Sequence, residues 1–332
     1  MVARRQLEPE GGAVTTHRRL PGARGSMAAL VTPFKNGYID ERSFRFLCER
    51  QIERGTAALV VCGTTGEVST LDRREQTLLI RLAVDTAGGR VPVIAGAGSN
   101  CTDTAVDLVY QAEWLGADGV LCVVPYYNRP TQDGLYRHFL TLQSKTDLPL
   151  LLYDVPSRTG AGLSLETILR LAELPNIVGL KDASGDPGRT AILRRHLGPD
   201  FLLLSGDDSS AAAALELGGD GCISVSANVA PALNAALYRA WAEGDMERFL
   251  KLRDLLAPLA GALFVESNPI PVKWALAQMG LLRDELRLPL TTLSSDCEPV
   301  LRAALDEVIF HEAEEAARMP RHPMTPRTAT AA

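Results

Sequence analysis

Lysine is scarce in this chain. Only Lys35, Lys145, Lys181, Lys251 and Lys273 occur, within a total of 34 lysines and arginines. Paired cysteine motifs are missing as well. The six cysteines, at 48, 62, 101, 122, 222 and 297, form no C-x-x-C pair and no zinc-like Cys/His spacing. Cys62, Cys122 and Cys222 fall inside apolar runs, where cysteine behaves as a small hydrophobe; they read as reduced core residues of a cytoplasmic protein. No run approaches the ~18 apolar residues of a membrane helix, so no membrane partner is expected. Residues 1–25 are rich in arginine and glycine and lack an apolar stretch, which excludes a secretory signal; Glu8 and Glu10 argue against a transit peptide. An excess of positive charge is absent too. The net charge of −6 disfavours nucleic-acid binding through the phosphate backbone, although local arginines can still serve an anionic substrate.

What remains is the composition of an ordinary globular enzyme, with 46% hydrophobic and 22% charged residues over 332 positions. That length fits two average domains or one large α/β barrel. Eight short apolar runs recur at 27–32, 57–62, 91–95, 119–124, 148–153, 177–181, 201–205 and 221–225. Several do not alternate, as expected of parallel strands buried on both faces. The segments between them have helical periodicity. Over 40–54, Phe44, Leu47, Cys48 and Ile52 share one side; Asp72 with Glu75, and Ser164, are helix-start signals. An open doubly wound sheet would carry a glycine-rich turn after its first strand, and Thr32-Pro33-Phe34 is not one. The pattern therefore predicts an α/β fold, a (β/α)₈ TIM barrel with a C-terminal helical extension. The expected limits are a disordered extension over 1–24, barrel strands and most helices over 25–229, a last barrel helix and helical region over 230–310, and a disordered tail over 311–332.

Barrel enzymes carry their chemistry where strands end. Strand 2 runs into Gly63-Thr64-Thr65-Gly66-Glu67, and strand 4 into Pro125-Tyr126-Tyr127-Asn128-Arg129-Pro130. Strand 5 ends in Tyr153-Asp154-Val155-Pro156-Ser157-Arg158-Thr159-Gly160, strand 6 at Lys181, strand 7 in Ser205-Gly206-Asp207-Asp208, and strand 8 holds Ile223. Each has an ordinary reading: a tight turn, a barrel-filling aromatic, a surface arginine. Lys181 by itself is either a strand-end lysine reaching solvent or a desolvated amine free to attack a carbonyl. Taken together, lysine, tyrosine, threonines and arginine suit Schiff-base chemistry on a keto acid. The amine is the nucleophile, the phenol moves protons, and arginine and hydroxyls hold carboxylates.

Over residues 25–305 the chain resembles the 4-hydroxy-tetrahydrodipicolinate synthases, also called dihydrodipicolinate synthases. The motifs above carry the likeness, with Ala-Leu-Val-Thr-Pro near the start and Phe264-Val-Glu-Ser-Asn-Pro-Ile-Pro-Val-Lys-Trp274. The resemblance implies that Lys181 forms an imine and then an enamine with pyruvate, and that the enamine attacks L-aspartate-4-semialdehyde, in diaminopimelate and lysine biosynthesis. It implies Tyr153 as general acid/base, with Thr65 linking it to Tyr127 borrowed from a neighbouring subunit. Thr64 and Thr65 lie at the pyruvate carboxylate, Arg158 receives the semialdehyde carboxylate, Ile223 gives a backbone contact and Gly206 borders the site. No metal or organic cofactor is implied, and the assembly is a homotetramer of two tight dimers. A further implied site binds feedback lysine. Asn100 and Tyr126 match it, but Arg73 and Gln76 replace histidines, and Thr104 replaces the glutamate that receives the lysine ammonium. Weak or absent inhibition is the expectation.

Related Schiff-base enzymes share the barrel and the lysine: N-acetylneuraminate lyase, keto-deoxy-sugar-acid aldolases and hydroxy-oxoglutarate aldolase. Thr65, the Tyr126-Tyr127 pair and Arg158 favour the synthase. Asp154 stands where the family often has asparagine, and Asp182 where glutamate is frequent. A non-catalytic alternative makes Gly206-Asp207-Asp208 and Gly218-Gly219-Asp220-Gly221 a phosphate-binding site. Its aspartates repel phosphate, and it leaves Lys181 and Tyr153 without a role.

Overall fold

The computed structural model describes residues 18–319. Eight parallel strands close into a barrel: β1 (Gly25–Ala29), β2 (Ala58–Val61), β3 (Val93–Gly96), β4 (Gly119–Val123), β5 (Leu150–Asp154), β6 (Ile177–Asp182), β7 (Leu202–Ser205) and β8 (Gly221–Ser224). Neighbours in sequence are neighbours in the sheet, and β8 pairs with β1 to close it. Alternation along each strand divides the apolar residues into two cores. Met27, Val60, Ile94, Leu121, Leu151, Leu204 and Ile223 fill the barrel interior. Leu59, Val93, Val120, Leu152 and Leu180 pack outward against the helices. The strands are therefore apolar on both faces, which is why their runs do not alternate in sequence.

The first strand starts and stops earlier than 27–32. Leu30 N–H still donates to the Val60 carbonyl at 2.9 Å, and the chain then leaves for a small hairpin, Phe34–Lys35 against Tyr38–Ile39. The helix expected over 40–54 is α1 (Glu41–Glu53); Asp40 caps it, and Phe44, Leu47, Cys48 and Ile52 are buried. The second, α2 (Arg73–Ala87), begins with a reciprocal capping box between Asp72 and Glu75. Then follow α3 (Thr102–Trp114), α4 (Gln132–Gln143), α5 (Leu165–Ala172) capped by Ser164, α6 (Gly188–Leu197) and α7 (Asp208–Glu216).

Beyond the barrel strands lie α8 (Pro231–Glu243), α9 (Met246–Ala262), α10 (Ile270–Gln278) and α11 (Glu298–Arg318). Residues 279–297 contain no helix, so the region is less helical than its apolar content suggests. Two expected limits are corrected. Residues 18–24 are not a loose extension: Leu20 joins the interior core, Ala23 is buried, and Arg24 pairs with Asp220. This segment covers apolar side chains that the open lower end of the barrel would otherwise expose to water. Residues 311–318 are not a loose tail either, because α11 continues through them. Glu312 is buried there, accepting from Ala232 N–H at 3.1 Å and Leu233 N–H at 3.0 Å, and it pairs with Arg54 at 2.7 Å. A carboxylate on the free N–H groups at the start of α8 suits the positive end of that helix. The expectations for 1–17 and 320–332 lie outside the described residues.

Candidate active site

At the C-terminal mouth of the barrel, Tyr153 on β5 and Lys181 on β6 are register partners, with Lys181 Nζ 4.2 Å from the centre of the Tyr153 ring. Both are buried, at 7% and 6% exposure. They line a cavity of about 260 Å³ together with Thr64, Thr65, Arg158 and Gly206. Six of the residues singled out in the sequence thus share one wall. Gly206 is there because space is short: a Cβ would lie 3.1 Å from Lys181 Cε and 2.8 Å from Ala183 Cβ. Ile223 is buried in the barrel interior and is not on the cavity wall.

The sequence reading assigned no role to Asn268, whose side chain donates through Nδ2 to Thr65 Oγ1 at 2.9 Å and whose carbonyl accepts from Arg158 Nη2 at 3.3 Å. The Thr65 hydroxyl thus accepts one bond and keeps its proton for another acceptor. Only closure of the barrel brings residue 268 to residue 65, so no local signal marks it; the one trace was its place in the 264–274 motif. Phe264 and Val225 also line the cavity.

The loops that carry the site hold unusual backbone. Cys62, Glu67, Tyr127 and Arg129 have positive φ, between 46° and 71°. For residues with a Cβ, that conformation persists only where the surroundings hold it. Around Cys62 the hold is visible: its carbonyl oxygen occupies the place a Cβ on Gly96 would take, so only glycine fits at 96. Around Glu67 it is an ion pair. Glu67 Oε1 meets Lys273 Nζ at 2.5 Å with both side chains fully buried, and Glu67 Oε2 accepts from Arg287 N–H at 3.1 Å. Burial pushes the Lys273 ammonium below its usual range, against the opposing pull of Glu67.

Tyr127 is not brought to the cavity within one chain; it is 89% exposed. Tyr126 turns instead into a second cavity of about 450 Å³, shared with Arg73, Gln76 and Thr104, whose wall also includes Thr64 and Arg158. Among the described residues, no Asp or Glu lines it. Asn100 is not on this wall; its carbonyl accepts from Asn128 Nδ2 at 2.9 Å. The phosphate-site alternative meets an obstacle in Asp208. Its carboxylate accepts from the N–H groups of Val225 and Ser226, both at 2.9 Å, and from the Ser224 and Ser226 hydroxyls. The donors a phosphate would need are occupied by an anion of the protein.

Fold and site together define an α/β barrel with a buried amine facing a phenol at its C-terminal mouth. A family model described as the dihydrodipicolinate synthetase family matches residues 22–308. The chain belongs to that family. It is 50% identical over 282 residues to the 4-hydroxy-tetrahydrodipicolinate synthase of Rhodospirillum centenum, covering 85% of this chain and 97% of that one. It is 51% identical over 271 residues to the synthase of Thermodesulfovibrio yellowstonii, covering 82% and 93%. Among solved structures it is similar to the chloride-inhibited dihydrodipicolinate synthase of Acinetobacter baumannii complexed with pyruvate, with TM-score 0.84, 47% identity, and 86% and 98% coverage. The likeness to the synthase of Methylacidiphilum fumariolicum has TM-score 0.85 and 41% identity over 89% and 98% of the two chains.

Proposed function

We propose that this protein condenses pyruvate with L-aspartate-4-semialdehyde through a Schiff base on Lys181, giving 4-hydroxy-tetrahydrodipicolinate for diaminopimelate and lysine biosynthesis. The observation that carries the reading is the buried Lys181–Tyr153 pair in a cavity that also holds an arginine and two threonines. Lys181 Nζ attacks the keto carbon of pyruvate, and the carbinolamine loses water to form an imine. Loss of a C3 proton gives the enamine, whose carbon bonds to the aldehyde carbon of the second substrate. Attack of that substrate's amine on the imine carbon closes the ring and releases Lys181. Tyr153 exchanges the protons, and no metal or organic cofactor enters these steps. Thr64 and Thr65 hold the pyruvate carboxylate, and Arg158 at the rim receives that of the semialdehyde.

The outward Tyr127 belongs in this reading to a neighbour's site, so the working unit is at least a dimer and the expected assembly a homotetramer. The expected compartment is the cytoplasm; no described helix is long and apolar enough to cross a membrane. Among the described residues, the cavity beside Tyr126 offers no carboxylate for an ammonium, a charge-assisted bond worth about 1.5–3 kcal/mol. Feedback by lysine is therefore weak or absent, and a sub-millimolar inhibition constant in a steady-state assay would contradict this.

The central test is borohydride trapping with pyruvate, mapped by mass spectrometry and repeated with aspartate semialdehyde under turnover. A pyruvyl adduct on Lys181 that the semialdehyde depletes is the expected result. An adduct indifferent to the semialdehyde would point to one of the sugar-acid or hydroxy-oxoglutarate aldolases, and no adduct would remove Lys181 as nucleophile.

A further inference from the structure

Tyr153 and Lys181 are partners across β5 and β6, and so are the residues that follow them, Asp154 and Asp182. Side chains alternate along a strand, so the first pair enters the barrel and the second turns toward the helices. Asp154 is fully buried there, at 0% exposure. A carboxylate in that position needs a cation or loses its charge. Arg189, in the first turn of α6, supplies the cation. Its Nη1 donates to Asp154 Oδ2 at 2.7 Å and lies 3.5 Å from Asp182 Oδ2; its Nη2 donates to the Leu163 carbonyl at 2.6 Å. Asp154 Oδ1 accepts from Leu163 N–H at 3.2 Å, and Asp182 Oδ1 from Ser184 N–H at 2.8 Å. Among the described residues Asp182 Oδ2 has no hydrogen-bond partner, and the guanidinium is the cation it faces.

We propose that Arg189 is a positioning residue for the Schiff-base chemistry: by holding the ends of β5 and β6 through Asp154 and Asp182, it sets the Tyr153 phenol against the Lys181 amine. This rests on the reading that those two groups react. Two carboxylates on adjacent strand ends repel each other, and Arg189 is the cation between them. Each sits one residue beyond a reacting group, so movement of either strand end moves the phenol or the amine. Proton transfer needs hydrogen-bond reach, and a displacement of ~1 Å can lower a rate by about a hundredfold. The side chains of Arg189, Asp154 and Asp182 do not themselves line the cavity where pyruvate would bind. Loss of Arg189 therefore acts on rate rather than on substrate affinity.

The test compares wild type with Arg189→Met, Arg189→Lys, Asp154→Asn and the Asp154→Asn/Arg189→Met double variant. Three quantities are read: the fraction of sites that borohydride traps on Lys181, the single-turnover rate of imine formation at saturating pyruvate, and steady-state kcat and KM. Arg189→Met is expected to trap pyruvate on Lys181 while imine formation and kcat per trapping site fall by about 10- to 100-fold. Pyruvate KM should change by less than about threefold, because uniform binding is untouched. Arg189→Lys keeps a cation beside Asp154 and should recover most of kcat. The double variant should lose less than the two single losses combined, because a neutral amide at position 154 removes the repulsion. Wild-type kcat per trapping site, with lowered stability alone, would overturn the proposal and leave Arg189 a purely structural residue. Should Arg189→Met fail to fold, Arg189→Gln, a milder polar change that also removes the charge, decides: a several-fold loss of kcat at unchanged KM supports the proposal, and an unchanged kcat overturns it. No adduct in the wild type would overturn the underlying reading of the site, and this proposal with it.

Discussion

Lys181→Ala is expected to lower kcat/KM by about 10⁴- to 10⁶-fold, the scale on which removal of a covalent nucleophile acts, and to abolish the borohydride adduct. The fold should survive. Lys181 ends at the cavity rather than in the helix-facing core, so the shorter side chain enlarges a space that is already open to solvent. Lys181→Arg separates chemistry from charge. It keeps a cation beside the Tyr153 ring, but guanidinium is not a usable nucleophile at neutral pH, so this variant should be as inactive as alanine. An alanine variant that retains more than about one per cent of wild-type kcat/KM would return the protein to the group of barrel proteins without Schiff-base chemistry.

Lys273→Met should have the largest effect on stability, a loss of about 3–5 kcal/mol, because it leaves the Glu67 carboxylate fully buried without its cation. The consequences reach the site. Glu67 closes the Gly63–Glu67 turn at φ 55° and holds Arg287 N–H as well, so its release frees the backbone that presents Thr64 and Thr65. Urea unfolding should show the lower midpoint, and pyruvate KM should rise in the fraction that stays folded. The Glu67→Gln/Lys273→Met double variant should recover much of the stability, since a neutral pair needs far less solvation. It should not recover KM fully, because an uncharged amide at position 67 no longer holds the turn by charge. A single variant that unfolds at the wild-type midpoint would show that Glu67 finds another partner, such as Arg287, whose backbone N–H it already holds and whose guanidinium lies 4.4 Å from the Phe34 ring that Lys273 also touches.

These two lysines illustrate how differently a site residue can be read. Lys181 was legible because its neighbours in sequence describe its surroundings: an apolar strand behind it and a turn ahead. Lys273 sits in the quoted 264–274 motif, yet nothing local says that it is fully buried, since its partner lies 206 positions away. Asn268 escaped notice for the same reason, being 203 positions from Thr65. For Tyr127 the family resemblance implies a neighbour's site, but no local signal gives its direction. Its outward direction follows from a positive φ in the loop after β4, which composition does not encode.

By itself the sequence determined the eightfold strand–helix repeat, the caps at Asp72 and Ser164, and the strand-end positions of Lys181, Tyr153, the threonines and Arg158. All of these depend on interactions within a few residues: apolar period, turn chemistry, and side chains that reach the adjacent backbone. The tertiary structure alone decided that residues 18–24 close the lower end of the barrel, that α11 runs on to Arg318 through Glu312, and that Arg189 joins Asp154 to Asp182. In each case a buried charge or an exposed apolar surface needs a partner from a distant part of the chain. Only closure of the barrel brings that partner within reach.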